Sequence, residues 1–187
     1  LGSEQHGFID SVGFDLYSQM LKEAIDQRMT VTPVEFKQAV ELDLQIDAYI
    51  PESYIADGHQ KIEMYKKFRG ITTLEDVEEL KEEMVDRFGD YPQEVHYLFM
   101  VATVKVYAME ARVESIKQQK QEIVILVSEE ASKNIDGSKV FQLNSKIERR
   151  MGLGMEGSRM KLVMPIKTIQ CEQWMGMLTE LIKGLKY

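Results

Sequence analysis

The stretch Thr73-Leu74-Glu75-Asp76-Val77-Glu78-Glu79-Leu80-Lys81-Glu82-Glu83-Met84-Val85-Asp86-Arg87-Phe88-Gly89 decides how the middle of this chain folds. At 100° per residue its apolar side chains share one stripe, which predicts an amphipathic helix. The stripe consists of Leu74, Val77, Leu80, Met84, Val85 and Phe88. Thr73 is placed to cap the start, with Asp76 as the acidic member of a capping box, and Gly89 marks the end.

Five carboxylates lie beside that stripe and are called here the acidic arc: Glu75, Glu79, Glu82, Glu83 and Asp86. Like charges at i,i+4 along this helix repel one another by about 0.2–0.5 kcal/mol per pair, and only Glu83 and Arg87 oppose them at that spacing. The arc is interpreted either as a solvated helix face or as a docking face for an Arg- and Lys-rich protein surface. The residue pattern alone leaves both interpretations open.

The composition is that of an ordinary soluble protein, with 44% hydrophobic and 29% charged residues among 187. No stretch approaches the roughly 20 apolar residues of a membrane span, so no membrane partner is expected. The single cysteine, Cys171, excludes an internal disulfide and fits a reducing cytoplasm.

The net charge of −8 is unevenly distributed along the chain. Residues 145–187 carry eight Lys/Arg and four Asp/Glu, a net charge of +4, which leaves −12 on residues 1–144. An acidic bulk argues against phosphate-backbone binding as the main function. The alternative is a nucleic-acid-binding accessory domain that uses the basic residues of the last part of the chain, namely Lys146, Arg149, Arg150, Arg159 and Lys161. A second alternative is a small-molecule enzyme with an acidic pocket.

Short helical and strand patterns are interspersed along the rest of the chain. Strands are predicted at residues 40–48, 114–119, 122–127 and 159–165, with the middle two joined as a hairpin. Helices are predicted at residues 57–68, 95–113, 138–151 and 170–186, and the basic residues of the first of these can offset part of the acidic arc. We therefore predict an α+β fold: a small, mostly antiparallel sheet of about four strands, packed against several helices and preceded by a helical N-terminal arm.

No catalytic motif or metal site is predicted. Residues 152–157 spell G-x-G-x-x-G, but these glycines follow a predicted helix and precede a strand, the reverse of a dinucleotide site, and are interpreted as a turn. No Walker A, G-x-S-x-G or H-E-x-x-H motif is present, and the three histidines are far apart in sequence. The chain is therefore predicted not to be an enzyme by itself.

Several short motifs carry a resemblance when taken together. Near the start stand Leu1-Gly2-Ser3-Glu4-Gln5-His6-Gly7-Phe8-Ile9 and Val12-Gly13-Phe14-Asp15-Leu16-Tyr17; further on come Glu41-Leu42-Asp43-Leu44, Ala48-Tyr49-Ile50-Pro51, Ile62-Glu63-Met64-Tyr65-Lys66 and Asp86-Arg87-Phe88-Gly89. The first two resemble the end of the translocase module in bacterial transcription-repair coupling factors. The others resemble the C-terminal domain of that family. The resemblance covers essentially the whole chain.

This resemblance implies a domain division and a role. Residues 1–30 would be the end of the translocase module and residues 31–187 a C-terminal regulatory domain. The chain would be a fragment of an ATP-driven DNA translocase that removes stalled RNA polymerase and recruits excision repair. ATP and magnesium would bind the upstream motor, and RNA polymerase and double-stranded DNA would bind other domains, so no cofactor is expected in this stretch.

The resemblance also assigns residues. The C-terminal domain of the family acts as a lid on a module resembling UvrB and hides the surface that binds UvrA until RNA polymerase is engaged. By similarity, Glu83 and Asp86 would face arginines of the covered module, with Glu75, Glu79 and Glu82 beside them. Gln5 and Gly7 resemble the loop that closes the family's translocation motif, although His6 departs from the usual small residue.

Overall fold

The structure, a computed structural model, describes residues 40–135, 137–146 and 151–185. Within those ranges the chain forms a mixed sheet and several helices, which confirms the predicted α+β class. In chain order the elements are β1 (Glu41–Asp43), α1 (Gly58–Arg69), α2 (Leu74–Phe88), α3 (Gln93–Glu110), β2 (Val113–Gln119), β3 (Glu122–Val127), α4 (Glu129–Ser132), α5 (Gly137–Lys146), β4 (Gly152–Glu156), β5 (Arg159–Pro165) and α6 (Cys171–Leu185). The predicted helical arm within residues 1–30, and with it Gln5 and Gly7, lies outside the described residues.

The sheet has the strand order β1-β2-β3-β5-β4, with β1 parallel to β2 and every other pair antiparallel. It has five strands among the described residues, where about four were predicted, because Gly152–Glu156 forms β4 rather than part of a turn. The turn is limited to Gly157 and Ser158, since Glu156 already pairs with Arg159. Gly157 has a φ of 65°, a conformation that glycine adopts without a steric cost.

The described residues divide into two compact units. The first comprises Gln45–Ala102, with α1, α2 and the first part of α3. The second comprises Val40–Leu44 and the residues from Thr103 onward, with the whole sheet and the remaining helices. The boundary near residue 30 that was predicted from sequence lies outside the described residues and stays a prediction.

The predicted strand at residues 40–48 is regular only over Glu41–Asp43. Its three residues pair with Ser115, Ile116 and Lys117 of β2, and no pairing extends beyond them. The alternation of apolar and polar side chains nevertheless continues as alternating burial, with Leu44, Ile46, Ala48 and Ile50 each at most 4% exposed. The period-two signal therefore identified which side chains are buried, and overestimated the length of the strand.

A break separates α3 from β2, where the sequence predicted helix through Val113. The helix ends at Glu110, and Val113 is the first residue of β2. Arg112, between them, has a φ of 57°, which is incompatible with continuing a right-handed helix. The apolar character of Val113 fits either element, so its periodicity could not locate this break.

Helix α2 forms with the expected capping box at its N-terminus. The Thr73 hydroxyl accepts a hydrogen bond from the Asp76 N–H at 3.0 Å, and Asp76 Oδ2 accepts from the Thr73 N–H at 3.1 Å. At the other end the Tyr54 hydroxyl donates to the carbonyl oxygen of Gly89 at 2.7 Å. These contacts satisfy backbone groups at both ends of α2 and fix the orientation of its faces.

The apolar stripe of α2 is narrower than predicted. Val77, Leu80 and Met84 are buried, whereas Leu74 and Val85 are 39% and 40% exposed. At 100° per residue these two lie about 80–100° from Met84, at the margin of the buried side. The exposed surface of α2 thus carries two aliphatic side chains in addition to its acids.

Candidate docking site

The acidic arc of α2 divides into two parts in the structure. Glu83 is half-buried and forms ion pairs within the chain. The other four carboxylates are exposed, form no ion pair among the described residues, and are called here the acidic row: Glu75, Glu79, Glu82 and Asp86. The i,i+4 pair of Glu83 and Arg87 identified from the sequence is present. The expected offset by basic residues of α1 is also found, but at Glu83 alone, through Lys67.

Glu83 is held by a cation from the neighbouring helix α1. Lys67 Nζ lies 2.7 Å from Glu83 Oε1 and 2.6 Å from Oε2. Arg87 Nη1 donates to Glu83 Oε2 at 2.9 Å, and also to Glu63 Oε2 at 2.9 Å. Two cations and two carboxylates therefore form a closed cluster, called here the α1–α2 cluster, that joins the two helices.

The cluster shifts the pKa values of Glu63, Glu83 and Arg87. The hydrogen bond from Lys67 is the main reason that the pKa of Glu83 lies below its ordinary value, and Arg87 adds to the effect. Arg87 likewise holds the pKa of Glu63 below its ordinary value, and both carboxylates raise the pKa of the Arg87 guanidinium. Each of these three shifts favours the charged form, and the two cations compensate Glu83, which therefore contributes little uncompensated charge to the surface.

The acidic row presents a line of charge along the helix axis. Its members recur at i, i+4, i+7 and i+11, which places them on one face over about 16 Å at 1.5 Å per residue. Glu78, next to this face, has Lys81 Nζ at 3.5 Å from its Oε1. The exposed Leu74 and Val85 border the row on the side away from Glu83.

This arrangement favours recognition of cations. Exposed carboxylates in a row accept charge-assisted hydrogen bonds, and guanidinium groups match their geometry best. In the described part of the chain no cluster of His, Cys, Asp or Glu is arranged to hold a metal ion. The geometry thus fits a basic protein surface, with aliphatic contacts at its border, as the complement of this face.

The basic residues of the alternative hypothesis are only partly described. Arg149 and Arg150 lie outside the described residues, as does the side chain of Lys146. The guanidinium of Arg159 is paired, with its Nε 3.2 Å from Glu114 Oε2, and Lys161 is half-buried. The described part of this cluster therefore offers little free positive charge. None of the helices in the described ranges is both long and apolar enough to span a membrane.

The part of the site that sequence reasoning missed is the pairing of Glu83 with Lys67. A signal was present, because the basic residues of α1 were expected to offset part of the arc. Nothing in the sequence, however, selected one carboxylate over its neighbours, since the rotation of α2 about its axis depends on how its buried side packs.

Comparisons with known proteins agree with the fold. The family model for the TRCF domain matches residues 44–138. Transcription-repair-coupling factors of Bacillus subtilis (strain 168) and Staphylococcus aureus (strain USA300) are 54% and 40% identical over 186 and 187 residues, which is 100% of this chain and 16% of each relative. A crystal structure of the C-terminal domain of a transcription-repair coupling factor matches with a TM-score of 0.74 at 33% identity, over 79% of this chain and 91% of that one.

Proposed function

Because this chain belongs to the transcription-repair coupling factor family and has the fold of its C-terminal domain, we propose that it is a regulatory lid. It docks through the acidic row onto a UvrB-like module of the same protein and masks the surface that UvrA binds. Engagement of RNA polymerase releases it, which couples stalled transcription to nucleotide excision repair in the cytoplasm. The chain spans 16% of its relatives' length, and the ATP-dependent motor and DNA-binding surfaces would reside in the remainder.

One observation carries the proposal: four carboxylates on one exposed face of α2 have no local counter-ion among the described residues, although the adjoining helix is rich in lysine. Repulsion at i,i+4 makes such a row mildly unfavourable for the isolated helix. A partner surface with arginines would convert that repulsion into attraction. Since Glu83 is already neutralised, the contact residues are Glu75, Glu79, Glu82 and Asp86, and Glu83 acts as a positioning residue.

The α1–α2 cluster also supports this docking role, because it restrains α2. Lys67 and Arg87 hold Glu83 on the side of α2 that faces α1. This contact resists rotation of α2 and keeps the acidic row on the outer surface. Pre-organised charges lose less conformational freedom on docking, which favours a specific contact over a diffuse one.

The strength of such a lid suits reversible opening. Measured couplings for close charge pairs across an interface begin at about 1.5 kcal/mol, whereas rim pairs contribute less. A few pairs, with Leu74 and Val85 at the border, would hold the closed state by a few kcal/mol. An effector that prefers the open state by about 5.5 kcal/mol shifts such an equilibrium from mostly closed to mostly open.

The test is charge reversal in the full-length protein. Glu79→Lys combined with Asp86→Lys should expose the UvrA-binding surface, so UvrA is captured at least about tenfold more strongly than by the unmutated protein, if two pairs of the lid are lost. Capture is measured by pull-down or by fluorescence anisotropy with labelled UvrA, without RNA polymerase.

A matched control keeps the total charge change the same. Glu52→Lys with Glu122→Lys alters two exposed carboxylates that do not belong to α2 and form no ion pair among the described residues, and should leave UvrA capture unchanged. Equal UvrA capture by the α2 variant and the unmutated protein would contradict the proposed lid. An equal gain of UvrA capture in both double variants would show that the effect depends on net charge alone.

A second measurement locates the partner surface. This chain, added to the separately produced UvrB-like module, should bind it, and the affinity should fall as salt rises from low to physiological ionic strength, because exposed charges are screened beyond about 8–10 Å. Binding that is indifferent to salt would assign the contact to apolar residues instead. Steeply salt-dependent binding of duplex DNA by the chain alone would favour the nucleic-acid-binding alternative.

A further inference from the structure

The two edges of the sheet are built differently. The β1 edge is three residues long and places the charged side chains of Glu41 and Asp43 at the surface, where Lys117 Nζ lies 3.3 Å from Glu41 Oε1. The β4 edge is five residues long, and all five are exposed. Short, charged edge strands are the usual protection against further strand pairing. The first edge has this protection and the second lacks it.

The composition of β4 offers few obstacles to a further strand. Its sequence, Gly152-Leu153-Gly154-Met155-Glu156, contains no proline and no lysine, and a single charge at its end. No register shift interrupts its pairing with β5, so no bulge turns this edge away. In the described part of the chain no strand follows β4 in the sheet. Among the described residues its outward backbone N–H and C=O groups thus have no strand partner.

Two apolar side chains of β4 lie on the core-facing side of the sheet. Leu153 is opposite Leu162 and Met155 is opposite Met160, and residues directly opposite in an antiparallel pair share a face. Leu162 and Met160 are 0% and 8% exposed, whereas Leu153 and Met155 are 55% and 60% exposed. The inner apolar face thus continues to the β4 edge and is left open there.

We propose that β4 pairs with β4 of a second copy of this chain, antiparallel and centred on Gly154, to join two sheets into one. A two-fold axis at Gly154 relates the two copies, so Leu153 of each copy faces Met155 of the other. Gly152 of each copy likewise faces Glu156 of the other. Both apolar pairs lie on the inner face, where they extend the row formed by Leu162 and Met160.

The order of residues in β4 is self-complementary, which favours a second copy as the occupant and this register. Glu156, its one ionised residue, lies opposite a glycine rather than opposite its own copy, so pairing brings no like charges face to face. A parallel pairing in register would place Glu156 beside Glu156. A one-residue slip would place Met155 opposite a glycine of the second copy and Leu153 opposite either Gly154 or Glu156. In the antiparallel register centred on Gly154, the backbones pair and the apolar side chains also face one another.

The size of the contact predicts a weak dimer. One five-residue strand pair per dimer is small beside standard interfaces. The whole 187-residue chain is studied by sedimentation equilibrium between micromolar and millimolar concentration. The expected result is a reversible monomer–dimer equilibrium, with slowed amide hydrogen exchange in β4 as the dimer fraction rises.

Met155→Lys should lower the association constant by at least about tenfold, because the symmetric contact introduces two lysines beside the apolar row. Phe141→Lys is the matched control: Phe141 is 74% exposed on α5 and is not part of the sheet, so its replacement should leave association unchanged. Far-ultraviolet circular dichroism checks that both variants remain folded.

Each other outcome overturns the proposal. A chain that stays monomeric to millimolar concentration has no such contact. A dimer that survives Met155→Lys uses another surface. A monomer whose β4 amides become protected only on adding an unrelated extended apolar peptide binds a heterologous strand there instead. None of these results bears on UvrA capture by the full-length protein, so this test is independent of the lid.

Discussion

Glu83 and Asp86 stand three residues apart on α2 and have different surroundings. Glu83 is half-buried between Lys67 and Arg87, with a pKa held below its ordinary value. Asp86 is exposed and has no ion pair among the described residues. Both are acidic side chains at one end of the same helix, and the sequence marks them alike. The difference arises from which of them faces α1.

This contrast separates structural charge from charge available to a partner. A carboxylate whose charge is compensated by its own neighbours supports the fold, and its loss disturbs the helix pair. A carboxylate left in water has little effect on the fold and can be used for binding. Stability and docking should therefore respond to different members of the acidic arc.

The largest expected effect on the free energy of unfolding comes from Met84, which follows Glu83 on the buried side of α2. Met84 is 0% exposed, so Met84→Ala should lower the free energy of unfolding by about 2–5 kcal/mol through lost burial and a cavity. Val85→Ala, at the next position and 40% exposed, should cost less than about 1 kcal/mol. Urea denaturation of both variants measures this, and similar losses would show that the buried side of α2 is wrongly assigned.

Reversing the charge of Glu83 and of Asp86 in separate variants tests whether the two carboxylates differ in their contribution to stability. Glu83→Lys places a third cation beside Lys67 and Arg87 and should lower the free energy of unfolding by about 1–2 kcal/mol, a value kept small because the cluster is partly exposed. Asp86→Lys should change it by less than about 0.5 kcal/mol. Urea denaturation at low salt measures both. Equal losses, or a loss confined to Asp86→Lys, would remove the distinction between the two carboxylates.

Much of the fold was predictable because local patterns determine single elements. The capping box at Thr73 and Asp76, the strand at Arg159–Pro165 and the hairpin of β2 and β3 were all predicted and are observed. What failed depended on tertiary partners. The strand after Val40 is short because β2 pairs with only three of its residues, and β4 was missed because its glycines indicate a turn until β5 provides a pairing edge.

The site was predictable in composition and unpredictable in detail. An acidic face on α2 follows from helical periodicity, and the structure contains one. The division between Glu83 and the acidic row depends on the contact between α1 and α2, over a separation of sixteen residues from Lys67 to Glu83. The docking role of the row stays a prediction, and the resemblance that named Glu83 as a contact residue did not anticipate its pairing inside the chain.

A smaller effect is expected at the start of α2, where Asp76 is another acid whose charge is used internally. Its Oδ2 accepts hydrogen bonds from the Thr72 and Thr73 N–H groups at 3.0 and 3.1 Å, the first being the main reason that its pKa is lowered. Thr73→Ala removes the reciprocal bond and should cost about 1 kcal/mol by urea denaturation. Thr73→Ser keeps a hydroxyl and should restore most of it; failure to do so would mean that the cap contributes through packing alone.

The smallest expected effect is a difference in pH dependence. Because the pKa of Glu83 is lower in the folded chain than in the unfolded one, its contribution to stability is fully present above the unfolded pKa and is lost as pH falls through the folded pKa. Glu83→Gln should therefore be less stable than the unmutated chain at pH 7, by less than about 1 kcal/mol, and the two should converge in acid. Asp86→Asn, which neutralises an exposed carboxylate outside the cluster, is the matched control and should change the free energy of unfolding at pH 7 by less than about 0.5 kcal/mol. Urea midpoints between neutral and acidic pH measure this, and a Glu83→Gln curve that stays parallel to the unmutated one would show that Glu83 contributes by shape and hydrogen bonding rather than by charge.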